Sequence, residues 1–278
     1  MDERRVGSPS SARWAIDEIP FRELDRDLVR HDRHLFYGVV AASFIEITAD
    51  LYTAGLVEFY RGDDEATEWL SQQWEPEELQ HGAALKRYVE TAWPEFDWNT
   101  AYGGFFAEYS RCCGVDAYAA TRELEFAARC VVETGTATFY RALSDMTAEP
   151  VLKRIASLIA ADEVRHYKHF YRFFRRYHAR ERTSRLVVAR TLWRRMTEVD
   201  AEDGLIAFKH VFRVANPGCE FQPGDYRAFR SRTRILARRY YPVPMAVRML
   251  LKPLELSPPV VRLIVPPIVS TAQLLLRL

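Results

Sequence analysis

Two Glu-x-x-His tetrapeptides, Glu78-Leu-Gln-His81 and Glu163-Val-Arg-His166, each lie within a long, glycine-poor, apolar-periodic segment. Positions i and i+3 of a helix share one face, so each carboxylate–imidazole pair can reach a single metal ion. Only 12 of the 278 residues are glycine, the 14 prolines cluster late, and apolar residues recur at the helical period. The expectation is an all-α protein. A hydrophobic fraction of 48% supports a substantial core, as one large domain or one domain with an appendage.

Residues 1–13 read as a disordered N-terminus and residues 14–29 as a short covering helix. Strong helical patterns follow over 31–60, 64–92, 104–147 and from Pro150 to about Tyr177, with a break near Gly114. The second is interrupted by Pro76, so it either kinks there or restarts at Glu75. Residues 94–103 and 216–224 read as loops, 184–214 and 225–240 as further helices, and the tail from 242 as apolar runs broken by proline.

Two lone acids complete the pattern. Glu46 sits among Phe44, Ile45 and Ile47, where an ionised side chain is costly unless paired. Glu133 lies in the apolar stretch of the third helix. The gaps between Glu46, Glu78, Glu133 and Glu163 are 32, 55 and 30 residues. A gap near 30 fits an antiparallel hairpin with about 13 residues, or roughly 20 Å, of helix beyond each ligand. Two short gaps around a long one match two hairpins joined by the long crossover of a ferritin-like four-helix bundle, whose core can hold two irons. The metal set is therefore Glu46, Glu78, His81, Glu133, Glu163 and His166. Two alternatives stand beside it: Asp50 replacing Glu46 as ligand, and Arg129 neutralising Glu133 in place of a metal. Asp162 or Glu77 could anchor a ligand imidazole through its second N–H. Tyr140 could face the site or simply fill core.

These residues resemble a known family. Trp74-x-x-Glu77-Glu78-x-x-His81-Gly82 is similar to a stretch of the soluble acyl-carrier-protein desaturases, as is Ile159-Ala-Ala-Asp162-Glu163-x-Arg165-His166; Glu133 followed by Thr136 matches their third helix. The likeness covers about residues 35–175, lacks a counterpart for Pro76, and stops short of the C-terminal hundred. It implies a di-iron centre (Mn/Fe serves the same ligands) that activates O2 against an unactivated C–H bond. It further implies that Thr136 relays a proton beside the O2 site and that Asp162 holds a ligand histidine. The domain expectation is a ferritin-like bundle over 14–181 and a basic helical extension over 182–278 packing on it.

Charge is lopsided: −12 over residues 1–170 and +13 over 171–278. A basic half suits an acidic partner, such as an acyl carrier protein or a ferredoxin-like electron donor; a CoA-linked substrate is the alternative carrier. The nine arginines over 172–195 come without the glycine-rich or zinc modules of nucleic-acid binders, so no nucleic acid is expected. Cys112, Cys113, Cys130 and Cys219 form no CxxC and read as reduced thiols of a cytoplasmic protein. No leader-like h-region opens the chain, and no uninterrupted apolar run suggests a spanning helix. The tail is expected to wrap the bundle, with a membrane surface or a homodimer interface as its alternatives. The leading function is an O2-dependent fatty-acyl desaturase-like oxidase. Its alternatives are a di-iron N-oxygenase or hydroxylase on a natural-product intermediate, and a non-catalytic ferritin-like metal-binding protein.

Overall fold

A computed structural model describes residues 13–111, 118–198 and 203–277. All regular structure among them is helical. Residues 1–12, which carry most of the disorder expectation, lie outside the described residues, as do Cys112, Cys113 and Gly114.

The N-terminal segment is three 3-10 turns, Ile16–Glu18, Phe21–Glu23 and Arg26–Leu28, rather than one short helix. Pro20 splits the segment, and Trp14, Ile19, Phe21 and Val29 bury themselves in one core cluster. The first long pattern divides into α1 (Arg33–Ile47) and α2 (Ala49–Phe59). Thr48 marks the break: its Oγ1 donates to main-chain oxygens of Phe44 and Ile45 at 3.1 and 2.8 Å. Such back-bonding competes with the helical ladder.

The second pattern is α3 (Asp64–Trp69), a π turn over Leu70–Trp74, and α4 (Glu75–Ala92). Pro76 has no N–H, and its ring would press on the carbonyl of Gln72 in a regular helix. The wider turn, closed by Glu75 N–H to Leu70 O, relieves this, so the helix restarts at Glu75.

The stretch expected as a loop over 94–103 instead opens α5 (Trp98–Tyr109), separate from the third long helix. Asp97 caps it, accepting from Thr100 N at 3.0 Å and Thr100 Oγ1 at 2.6 Å. The crossover therefore carries its own helix. Then come α6 (Arg122–Met146) and α7 (Pro150–Glu181), which pack along each other as α1 packs along α4.

The expected helix over 184–214 is two, α8 (Arg185–Glu198) and α9 (Asp203–Ala215). They precede α10 (Pro223–Tyr240), α11 (Val243–Leu251) and α12 (Pro258–Arg277). α8 and α11 lie against α6, and α9 against α5 and α1. Several arginines of the basic run are tied down: Arg172 and Arg176 to Glu65, Arg176 also to Asp63, and Arg175 to Glu255.

The tail's prolines do not break α12. Pro266 and Pro267 sit inside it, and the carbonyls they leave free belong to Arg262 and Leu263, both exposed to water. By length and composition alone, Arg33–Phe59 and Pro258–Leu276 could each cross a membrane, contrary to the sequence expectation. The most apolar window of the first is half buried inside the protein; that of the second is only 6% buried.

The core forms two apolar layers. One gathers Val39, Val40, Leu85, Val89, Leu143 and Ile155 with their neighbours; the other gathers Leu56, Leu70, Phe126, Phe170 and Phe173. Along α6 and α7, as from α1 to α2 and from the π turn into α4, the chain passes from one layer to the other. Where it crosses, the buried side chains are charged.

Candidate metal centre

Glu46 comes from the last turn of α1, Glu78 and His81 from α4, Glu133 from the middle of α6, and Glu163 and His166 from α7. All six are buried, none more than 6% exposed. Their ligand atoms form two overlapping groups, each within 4.8 Å: Glu46, Glu78, His81 and Glu163; and Glu78, Glu133, Glu163 and His166.

Glu78 and Glu163 belong to both groups and turn one oxygen to each. His81 Nδ1 lies 3.2 Å from Glu163 Oε1 and 3.7 Å from Glu78 Oε2. His166 Nδ1 lies 3.0 Å from Glu78 Oε1 and 3.8 Å from Glu163 Oε2. Glu46 Oε2 stands 3.9 Å from His81 Nδ1, and Glu133 Oε2 stands 3.6 Å from His166 Nδ1. Two carboxylates are thus shared between the groups and two belong to one group each, with one imidazole in each.

The imidazoles are held from behind, crosswise between the pairs. His81 Nε2 meets Asp162 Oδ2 at 3.2 Å, and His166 Nε2 meets Glu77 Oε2 at 2.7 Å. Arg165 joins the two anchors, donating to Asp162 Oδ1 at 2.6 Å and to Glu77. A carboxylate on the far nitrogen fixes the ring and leaves Nδ1 to ligate.

Other contacts tune the carboxylates. Thr136 Oγ1 donates to Glu163 Oε2 at 2.7 Å, closer than its approaches of 3.3 and 3.4 Å to its own helix's carbonyls. Trp74 Nε1 donates to Glu133 Oε1 at 3.2 Å, and Tyr140 OH donates to Glu46 Oε1 at 2.5 Å.

Four buried polar atoms have no hydrogen-bond partner and meet in this layer: His81 Nδ1, His166 Nδ1, Glu133 Oε2 and Glu163 Oε1. Native interiors rarely leave such atoms unsatisfied without a reason, and an ion is one. Electrostatics agrees. Burial, then the charges of Glu78 and Glu163, pushes the Glu46 carboxyl well up; burial and Glu163 do the same to Glu133. Burial opposes charge on both imidazoles, but the carboxylates packed around them outweigh it and raise them well above their usual range. Without cations, protons must balance this layer; four carboxylates would balance two divalent ions. The donor set of oxygen and imidazole suits divalent first-row metals, iron and manganese among them.

Neither alternative to the six joins the layer. Asp50 is exposed, its carboxylate accepting from Leu51 N, and Arg129 pairs with Glu125 at 2.8 Å. Gly82 lets α4 approach α1 here: a Cβ on it would come within 2.5 Å of Ile47 N.

Three partners were not assigned from sequence. Trp14 Nε1 donates to Asp162 Oδ2 at 2.8 Å, and its ring stacks on His81 with centroids 6.2 Å apart. With 148 residues between Trp14 and Asp162, no local pattern betrays the pair. Trp74 and Arg165 stood in the motifs without a role. Arg165 was findable, being one helical turn from Asp162.

No protein-family model matches this chain, and no curated protein is detectably similar to it.

Proposed function

We propose that this chain is a di-iron oxidase built on a ferritin-like bundle, activating O2 for attack on an unactivated C–H bond. One observation carries the reading: four partnerless buried atoms converge where two anchored imidazoles and two doubly shared carboxylates meet. Glu46, Glu78, His81, Glu133, Glu163 and His166 would hold the metals, as an Fe/Fe or Mn/Fe pair. Bound there in reduced form, the metals would supply electrons to O2.

The chain's own side chains set the conditions for that chemistry. Asp162, Glu77 and Arg165 orient both imidazoles. The Thr136 hydroxyl, hydrogen-bonded to Glu163 Oε2, can hold or pass a proton at that oxygen. Tyr140 holds one at Glu46. The apolar layers above and below exclude water, which protects a reactive centre from side reactions.

The motifs favour a fatty-acyl substrate presented as a carrier-protein or CoA thioester, with desaturation as the outcome. The basic second half suits an acidic carrier and a ferredoxin-like donor. Two cavities of about 240 and 330 Å3 lie elsewhere, lined by residues such as Tyr37 and Phe229 or Ile268 and Leu275, and contribute nothing to this substrate choice. Free Cys130 and Cys219 fit a reducing, cytoplasmic setting.

The test is single turnover. Iron-loaded protein is reduced anaerobically, mixed with acyl thioesters, exposed to O2, and the acyl product weighed. Loss of two hydrogens is the expected result. Gain of one oxygen would move the assignment to an oxygenase. Unchanged substrate with all acyl and amine candidates would remove the oxidase reading.

A further inference from the structure

The other unexplained feature lies at the C-terminus, away from the charged layer. One side of α12 is occupied: Val265 packs with Val243 and Val247 of α11, flanked by Val261, Val269, Ala272 and Leu276. The opposite side is apolar and bare. Leu263 is 75% exposed, Leu275 63% and Leu274 57%, with Val260 and Ile268 beside them. Monomeric soluble proteins rarely leave such a stripe uncovered.

The neighbouring helix supplies the second observation. α10 lies against α12, and Arg238 Nε donates to Leu276 O, so the two helices share one surface. Along α10, Arg227, Arg232, Arg234, Arg238 and Arg239 are exposed, and no carboxylate pairs with any of them among the described residues. Ile235, also exposed, sits between these arginines. Residues 223–278 hold ten basic and two acidic side chains, a net +8.

We infer that α10 and α12 form a docking surface for an anionic lipid bilayer, with α12 lying in the headgroup plane. An apolar stripe bordered by arginines is the chemistry such a surface accepts: side chains enter the acyl boundary while guanidinium groups meet phosphates. A second copy of the chain is the poorer occupant, because apposing the two stripes would bring +8 against +8. Crossing the bilayer does not fit either. The Val265 face stays seated on α11, and Arg262 and the Pro266–Pro267 pair interrupt the apolar run.

The experiment is flotation of the purified 278-residue chain with phosphatidylcholine vesicles, with and without phosphatidylglycerol. It needs neither metal nor substrate, so its failure is separable from failure of the oxidase proposal. Co-flotation only with anionic vesicles, reversed by high salt, is expected. L263E/L274E should abolish it, and R234E/R239E should weaken it by about fivefold or more per arginine. All four positions are exposed, so sizing and circular dichroism should match the parent chain. Three results overturn the inference: no flotation with anionic vesicles, equal flotation with neutral ones, or a lipid-free dimer that L263E/L274E dissociates.

Discussion

Asp162 touches His81, Trp14 and Arg165 at once, through two oxygens. Replacing it with Asn keeps the shape but removes the charge that orients His81. Metal affinity should fall about 10- to 100-fold, read by competition with a chelator. Unchanged affinity would mean that the anchor is only structural. Glu133 points the other way in metal-free protein. Buried among acids, its charge opposes folding when no cation is present, so Glu133→Gln should stabilise the metal-free chain by about 1 kcal/mol, or about 2–4 °C in Tm. The same substitution should lower metal stoichiometry, which calorimetry and metal analysis on one sample can show together.

Asp63 shows how far residue-level charge reaches into an element. It caps α3, accepting from Ala66 N at 3.3 Å, and ties to Arg176 and Tyr177 of α7. Burial opposes its ionisation, yet hydrogen bonds from Tyr177, Arg176 and Ala66 N outweigh that and hold its carboxyl below the usual range. A depressed folded-state value means the stabilisation is present above the unfolded pKa and is lost as pH falls through the folded one. Asp63→Asn keeps a capping side chain but removes the charge facing Arg176, so it should lower stability in urea at pH 7 by about 1 kcal/mol or less, and the gap should close as pH falls through that lowered carboxyl value. Gly82 governs the contact between α1 and α4. A methyl group there meets the backbone of Ile47, next to Glu46. Gly82→Ala should cost about 1–3 kcal/mol and weaken binding at the Glu46 end. If metal titrations are unchanged, the close approach does not set the site.

At the scale of the molecule, the parts that sequence reveals are those with a repeating period. The charged layer was readable because helices of regular rise place Glu46, Glu78, Glu133 and Glu163 level once their gaps are counted. Pro76 announced a disturbance in α4, though not its form, since a π turn leaves no composition signal. Asp97 and Thr100 did spell a helix start inside the supposed loop, and the surrounding proline and aromatic residues obscured it. Trp14 could not be found, because a contact between a 3-10 segment and α7 has no period. The tail misled because proline disfavours a helix interior without forbidding it: Pro266 and Pro267 sit within α12, where the residues whose carbonyls they free are exposed to water. What joins these scales is the claim that six side chains from α1, α4, α6 and α7 enclose two metals. Anaerobic titration of metal-free protein with ferrous iron, followed by metal analysis and Mössbauer spectroscopy, tests it most directly. The account predicts saturation at two irons per chain, magnetically coupled after oxidation, and loss of that coupling in Glu163→Ala. Saturation at one iron or none, or a coupled pair that survives Glu163→Ala, would contradict it.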